Sequence, residues 1–223
     1  DLARFTGSRV IVNTASGAVA SPAELAGKKI GTTIGTNVNF YLDEILAEAG
    51  VEAEVVGAAP PDLVPALARG DLDAIVPFPT FYDAAASTLG ADYAELRVPG
   101  YEVHYILAAS PEMTGDRSAT LEAFMAALAK ADADVKADPA AAMEAVSASM
   151  HGTMSPEALA TMWQDVDVGL KLDTALADLL VAEADWVLSK GVVRGEAVDR
   201  AEMLTHFAPT PLEKAAPEAV DLP

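Results

Sequence analysis

The chain has 223 residues, enough for one large domain or two small lobes, and 52% hydrophobic against 22% charged residues is a globular composition able to bury a core. A formal net charge of -20 repels phosphate backbones and excludes nucleic acid as an expected partner, while the lack of cysteine excludes disulfides and Cys-based metal sites. No window approaches roughly eighteen consecutive apolar residues, so no membrane-spanning helix is expected. Asp1 is not preceded by a charged and then apolar leader, and the expectation is a signal segment already removed or never present.

Val10, Ile11 and Val12 predict a first strand over Arg9 to Thr14. Ser21-Pro22-Ala23-Glu24 reads as a short helix start that Gly27 ends. Lys28 to Ile34 predicts a second strand, closed by the turn Gly35-Thr36-Asn37. Val38, Leu42, Ile45, Leu46 and Ala49 then recur at helical spacing until Gly50. Glu54-Val55-Val56 is a third strand, Pro60-Pro61-Asp62 opens a helix through Leu67 to Gly70, and Asp73 to Val76 is a fourth strand. Strands alternating with helices across short loops predict a parallel α/β sheet. Tyr101 to Ala108 alternates as a further strand, and if it pairs with the first strand the segment between them is a lobe inserted into another lobe.

From Ser118 the pattern becomes helical. Leu121, Phe124, Met125 and Leu128 mark one helix, and an Ala-rich run from Pro139 to Met150 marks a second. Leu159, Met162, Trp163 and Val166 mark a third; Leu172, Leu176, Leu179, Leu180 and Val187 mark a fourth. The Pro-rich tail from Pro209 is expected to wrap the surface.

The turn Gly35-Thr36-Asn37 follows a strand and starts a helix, where free backbone N–H groups and the helix dipole favour an anion. Gly35 permits close approach and Thr36 adds a hydroxyl donor; plain capping of the helix by Thr36 or Asn37 explains the same pattern. Pro77-Phe78-Pro79-Thr80-Phe81-Tyr82 follows the fourth strand at the same predicted edge, as a stiff, half-polar aromatic wall or as a corner of the core. Pro60-Pro61-Asp62 lies at a strand end too, with Asp62 as a plain N-cap the competing explanation. Catalytic patterns are thin: His104, His151 and His206 are isolated, and neither a nucleophile elbow nor a phosphate loop occurs. No cofactor, metal or catalytic residue is expected.

Ala23-Glu24-Leu25-Ala26-Gly27-Lys28-Lys29-Ile30-Gly31 resembles a block of importer-associated solute-binding proteins. Gly35 to Leu42 is similar to a stretch of aliphatic sulfonate binders, and Pro60 through Ala74, Asp138-Pro139, Ser155-Pro156-Glu157 and Pro211 to Ala215 fit the same pattern in order. The resemblance is to the sulfonate, taurine, nitrate and thiamine-precursor group and spans nearly the whole chain. It implies an α/β fold of the type II periplasmic binding protein kind, two α/β lobes joined by two hinge strands. Residues 1–23 and 102–223 would form a helix-rich lobe 1, and residues 24–101 the inserted lobe 2. Family members carry further strand–helix units before the point matching Asp1, so the N-terminal part of lobe 1 is expected to be absent. Sulfonate binders often carry Trp-Asp/Glu-Pro-Phe after the fourth strand; Phe78-Pro79-Thr80-Phe81 lacks the acid. That shifts the expectation toward an anionic or a neutral aromatic ligand.

The resemblance thus implies a binding subunit of an ABC importer, not an enzyme, that captures a small organic anion by hinge closure. Gly35, Thr36, Asn37, Pro60, Phe78, Thr80, Phe81 and Tyr82 would bind the ligand, and Asn13, Thr14 and His104 would lie at the hinge. A membrane permease and its ATPase would be the partners, and the protein would be a periplasmic or extracytoplasmic monomer, free or lipid-anchored. Competing readings are a thiamine-precursor pyrimidine as ligand, an enzyme of pyrimidine or menaquinone synthesis on the same fold, and the effector domain of a transcriptional regulator.

Overall fold

Two strands open the chain, β1 (Ala3–Phe5) and β2 (Val10–Asn13), and they go to different units. The structure, a computed structural model, describes residues 1–151 and 154–223. One compact unit comprises Asp1–Phe5 with His104–Pro223, and the other Thr6–Val103.

The Thr6–Val103 unit continues with β3 (Lys29–Thr32), α1 (Asn37–Ala49), β4 (Glu54–Gly57), α2 (Pro60–Arg69), β5 (Ala74–Val76), α3 (Tyr82–Leu89) and β6 (Tyr93–Leu96). Its sheet order is β4-β3-β5-β2-β6. β3 runs parallel to β4 and β5, whereas β2 is antiparallel to β5 and β6. Val10, Ile11 and Val12 are fully buried, as a β-branched run covered on both faces should be. On the α1 side Ile30, Val38, Tyr41, Leu42, Ile45, Ala74 and Val76 form one core. Each fully buried aliphatic side chain contributes about 1.5–3 kcal/mol. Gly31 lets α2 pack tightly, since a methyl there would stand 2.5 Å from Leu72 Cδ1 and 2.9 Å from Leu63 Cδ2. Gly50, at φ +65°, stops α1 in the left-handed conformation.

β2 does not pair with the strand near Val103. Its neighbours are β5 and β6, and β6 is a short strand that the sequence reading does not identify. Residues 6–23 therefore fold with the inserted unit, and the boundary expected at 23/24 falls at Phe5/Thr6.

The other unit contains β7 (Val103–Tyr105) from His104 onward, α4 (Pro111–Thr114), α5 (Ser118–Ala137), α6 (Pro139–Ser149), α7 (Pro156–Trp163), β8 (Val166–Val168), β9 (Leu172–Asp173), α8 (Thr174–Ser189), α9 (Arg200–Thr205), α10 (Thr210–Ala215) and β10 (Val220–Asp221). β7, β1 and β8 form a three-stranded sheet with β1 in the middle, and β9 pairs with β10. Asp138 and Ser155 cap α6 and α7, accepting from Ala141 N at 3.0 Å and Ala158 N at 3.1 Å. Val166 and Leu172, expected on helix faces, lie in β8 and β9. Asp173 accepts from Leu176 N at 3.2 Å, and this cap starts α8 only after Leu172. The tail is not a surface strap: Leu212 of α10 and the following Ala216 are buried against Leu121 and Met125 of α5.

Candidate functional site

Because β3, β4 and β5 are parallel, the segments after Thr32, Gly57 and Val76 share one edge of the sheet. In open α/β sheets that carboxyl edge is where ligands bind. The β3–α1 turn is held from within. Gly35, at φ +76°, donates its N–H to Asn39 Oδ1 at 3.2 Å, and Thr36 Oγ1 donates to Thr33 O at 2.6 Å. The amides of Asn39 and Phe40 both donate to Thr36 O at 3.0 Å. The Asn37 and Val38 amides lie ahead of these first helical bonds, at the positive end of a 13-residue helix. Asn37 is half-buried, and its carboxamide makes no hydrogen bond among the described residues.

Two expectations about this turn change. Thr36 occupies the N-cap position, but its side chain does not cap the helix. Nor does it offer a donor, because its proton is committed to Thr33 O.

The other helix starts at this edge offer fewer donors. α2 begins with Pro60 and Pro61, which have no N–H, after an Ala59 N-cap. Asp62 is therefore not the N-cap; it lies exposed in the first turn, and Pro60 contributes only apolar surface. After β5, Phe78 is half-buried and packs on the α1-side core, Phe81 is half-buried and Thr80 is exposed. Tyr82 leaves the predicted wall. It is buried, with the Arg9 guanidinium carbon 4.3 Å from its ring centroid, and burial raises its phenol pKa.

Arg9 is itself buried and donates through Nη1 to Glu95 Oε2 at 2.7 Å and through Nε to Gly7 O at 3.0 Å. Tyr93 OH donates to Glu95 Oε2 at 2.7 Å and Arg97 Nε to Oε1 at 2.9 Å. Partial burial pushes the Glu95 carboxyl up, but these donors outweigh it and hold its pKa at about 2. Burial and the bond to Glu95 push the Tyr93 phenol up to about 12.

The three residues expected at a hinge separate. β2 is antiparallel to β5, so Asn13 and Thr14 end it at the opposite edge from Gly35. There Asn13 Nδ2 donates to Leu67 O at 3.1 Å and Thr14 Oγ1 to Asp92 O at 3.1 Å. The chain passes between units at Phe5–Thr6 and at Val103–His104, so of the three only His104 lies at a passage. Its Nδ1 is 2.8 Å from Asp1 Oδ2.

Sequence reasoning missed Asn39 and Ile34. A buried polar residue amid Val38, Phe40, Tyr41 and Leu42, four positions after Gly35, was the available signal for Asn39. Ile34 is 51% exposed beside the turn. A separate cavity of about 280 Å³ lies in the helical unit, lined mostly by residues such as Leu121, Met125, Leu176, Leu180, Phe207 and Leu212, and none of the predicted ligand residues lines it. Among the described residues no cluster of three His, Cys, Asp or Glu could hold a metal ion, and no helix is long and apolar enough to cross a membrane.

Residues 4–142, more than half of the chain, match the family described as NMT1/THI5 like. The chain belongs to the NMT1/THI5-like family. This family member has the α/β fold of periplasmic binding proteins. It is similar to the periplasmic aliphatic sulphonate binding protein SsuA from Escherichia coli, at 18% identity and a TM-score of 0.66, over 90% of this chain and 68% of that one. The alkanesulfonate-binding protein SsuA from Xanthomonas axonopodis pv. citri, bound to MOPS, aligns at 16% identity and a TM-score of 0.62, over 92% and 73%. The desulfurization enzyme DSZB aligns at 15% identity and a TM-score of 0.62, over 96% and 77%. At these identities the likeness establishes the fold. No curated protein matches the chain.

Proposed function

We propose that this chain is the solute-binding component of an ABC importer and holds a small organic anion, a sulfonate or carboxylate, at the start of α1. One observation carries the reading. Of the three helix starts on the carboxyl edge, α1 presents amide donors, whereas the starts after β4 and β5 are occupied by Pro60, Pro61 and Pro79. The Asn37 and Val38 amides and the Asn37 carboxamide hold the anionic group, and Phe78 and Phe81 border its organic part. The Thr36 hydroxyl holds the turn in shape.

Family membership supports the reading, as do two similar structures of sulfonate-binding proteins and a DSZB variant in complex with biphenyl-2-sulfinic acid. In this reading the protein works outside the cytoplasm with a membrane permease and an ATPase. Capture uses the hinge motion of the fold, with the hinge at the two chain passages. DSZB demonstrates that this fold also serves an enzyme. A pyrimidine ligand loses one of its stacking partners with the burial of Tyr82.

Isothermal titration of the chain with alkanesulfonates, carboxylates and a thiamine-precursor pyrimidine tests the proposal. Hydrogen bonds to a charged group contribute about 1.5–3 kcal/mol, so Asn37→Ala weakens anion binding by roughly 10- to 100-fold. No binding by any anion, or undiminished binding after Asn37→Ala, contradicts it.

A further inference from the structure

Ile34 is the one large hydrophobic side chain of the Thr6–Val103 unit, among the described residues, that stays exposed, at 51%. It stands between the end of β3 and Gly35, three residues before Asn37. Its seat is specific. β3 and β4 pair Ile30 with Val55 and Thr32 with Gly57, and side chains alternate along a strand, so Gly57 faces the same side of the sheet as Ile30. That is the side packed against α1. A methyl group built on Gly57 would stand 2.7 Å from Ile34 Cγ1 and 3.7 Å from its Cδ1. Ile34 therefore lies across bare backbone, a place any larger residue at position 57 would take from it. Gly57 has no left-handed backbone to explain the glycine; the room it leaves is filled by Ile34.

A protein gains nothing in stability from keeping a branched aliphatic side chain half in water, whereas a ligand that covers it does gain. We propose that Ile34, seated on Gly57, is the specificity-determining surface of the anion site. It takes the alkyl or aryl body of the ligand, so the site prefers anions with several apolar carbons to small hydrophilic anions such as nitrate or sulfate. This rests on the anion site at α1: the amides of Asn37 and Val38 recognise the charge, and Ile34 sorts among the molecules that carry it.

The test is calorimetric titration with hexanesulfonate and methanesulfonate, which share a head group and differ in chain length. Wild-type protein binds hexanesulfonate more tightly. Ile34→Ala removes several buried methyl and methylene groups and weakens hexanesulfonate by about tenfold, leaving methanesulfonate within about twofold. Gly57→Ala displaces Ile34 and acts in the same direction, and thermal melts confirm that both variants fold. Equal weakening of both ligands, or unchanged hexanesulfonate affinity in both variants, overturns the role of Ile34 while Asn37-dependent binding stands. If neither sulfonate binds wild-type protein, the anion site falls and this inference with it.

Discussion

Asn39→Ala asks whether the β3–α1 turn is a prepared site or a loop that forms around its ligand. Asn39 is 5% exposed and its Oδ1 accepts the Gly35 N–H at 3.2 Å. Alanine leaves that half-buried donor without its partner. An unsatisfied buried group costs about 1–3 kcal/mol, and partial access to water places this one near 1 kcal/mol. The larger effect falls on binding. A turn no longer tied to Asn39 must be ordered by the ligand, at about 1–2 kcal/mol per residue fixed. With one residue released, affinity for hexanesulfonate falls about tenfold. Urea unfolding followed by circular dichroism reads the first number, and titration calorimetry the second. Asn39→Asp separates packing from charge. It keeps an acceptor for Gly35 but adds a negative charge to the turn, and a like charge there disfavours an anion at the start of α1. The Asp variant should fold and fail to bind. Wild-type affinity in Asn39→Ala, or tight sulfonate binding in Asn39→Asp, would refute the prepared turn.

Two further outcomes concern stability. The Glu95 carboxyl is held at about 2, below its ordinary 4.5, so its contribution is fully present above about pH 4.5 and is lost as the pH falls toward 2. Discounted for solvent screening of a partly exposed group, that contribution is about 1 kcal/mol, and Glu95→Gln should flatten this step in unfolding free energy between pH 5 and 2. An unchanged acid profile would show that the Arg9, Tyr93 and Arg97 contacts to Glu95 carry no net energy. Leu212→Ala should destabilise the helical unit by about 2–4 kcal/mol in urea unfolding, because Leu212 is 6% exposed against α5, whereas Glu213→Ala on the exposed side should change little. Similar effects from both would mean that the tail is not part of that core.

The sequence made the α1–α2 half of the inserted unit legible because several local signals agree there. The β-branched runs, the helical spacing from Val38 to Ala49 and the glycines at 50 and 70 all give the same boundaries. Pairing was not legible, since β6 is four residues, Tyr93–Leu96, with little hydrophobic pattern, and nothing local to Val12 says that its partners lie at positions 74–75 and 93–96. Val166 and Leu172 fall at helical spacing from their neighbours by coincidence, and only the Asp173 cap reveals where α8 begins. The β3–α1 turn does lie at the carboxyl edge of the sheet, as the strand–helix order implies, but the direction of the Thr36 proton depends on a carbonyl three residues back. Tyr82 was lost to the wall through Arg9, a residue remote in sequence whose guanidinium covers its ring.

Chemical-shift mapping of ¹⁵N-labelled chain titrated with hexanesulfonate tests the central claim most directly. An anion held at the start of α1 gives saturable movement of the Thr36, Asn37 and Val38 amide resonances, with smaller shifts at Phe78 and Phe81 and none at the buried Asn13. Saturable binding that leaves the amides of Thr36 to Val38 unmoved would contradict it.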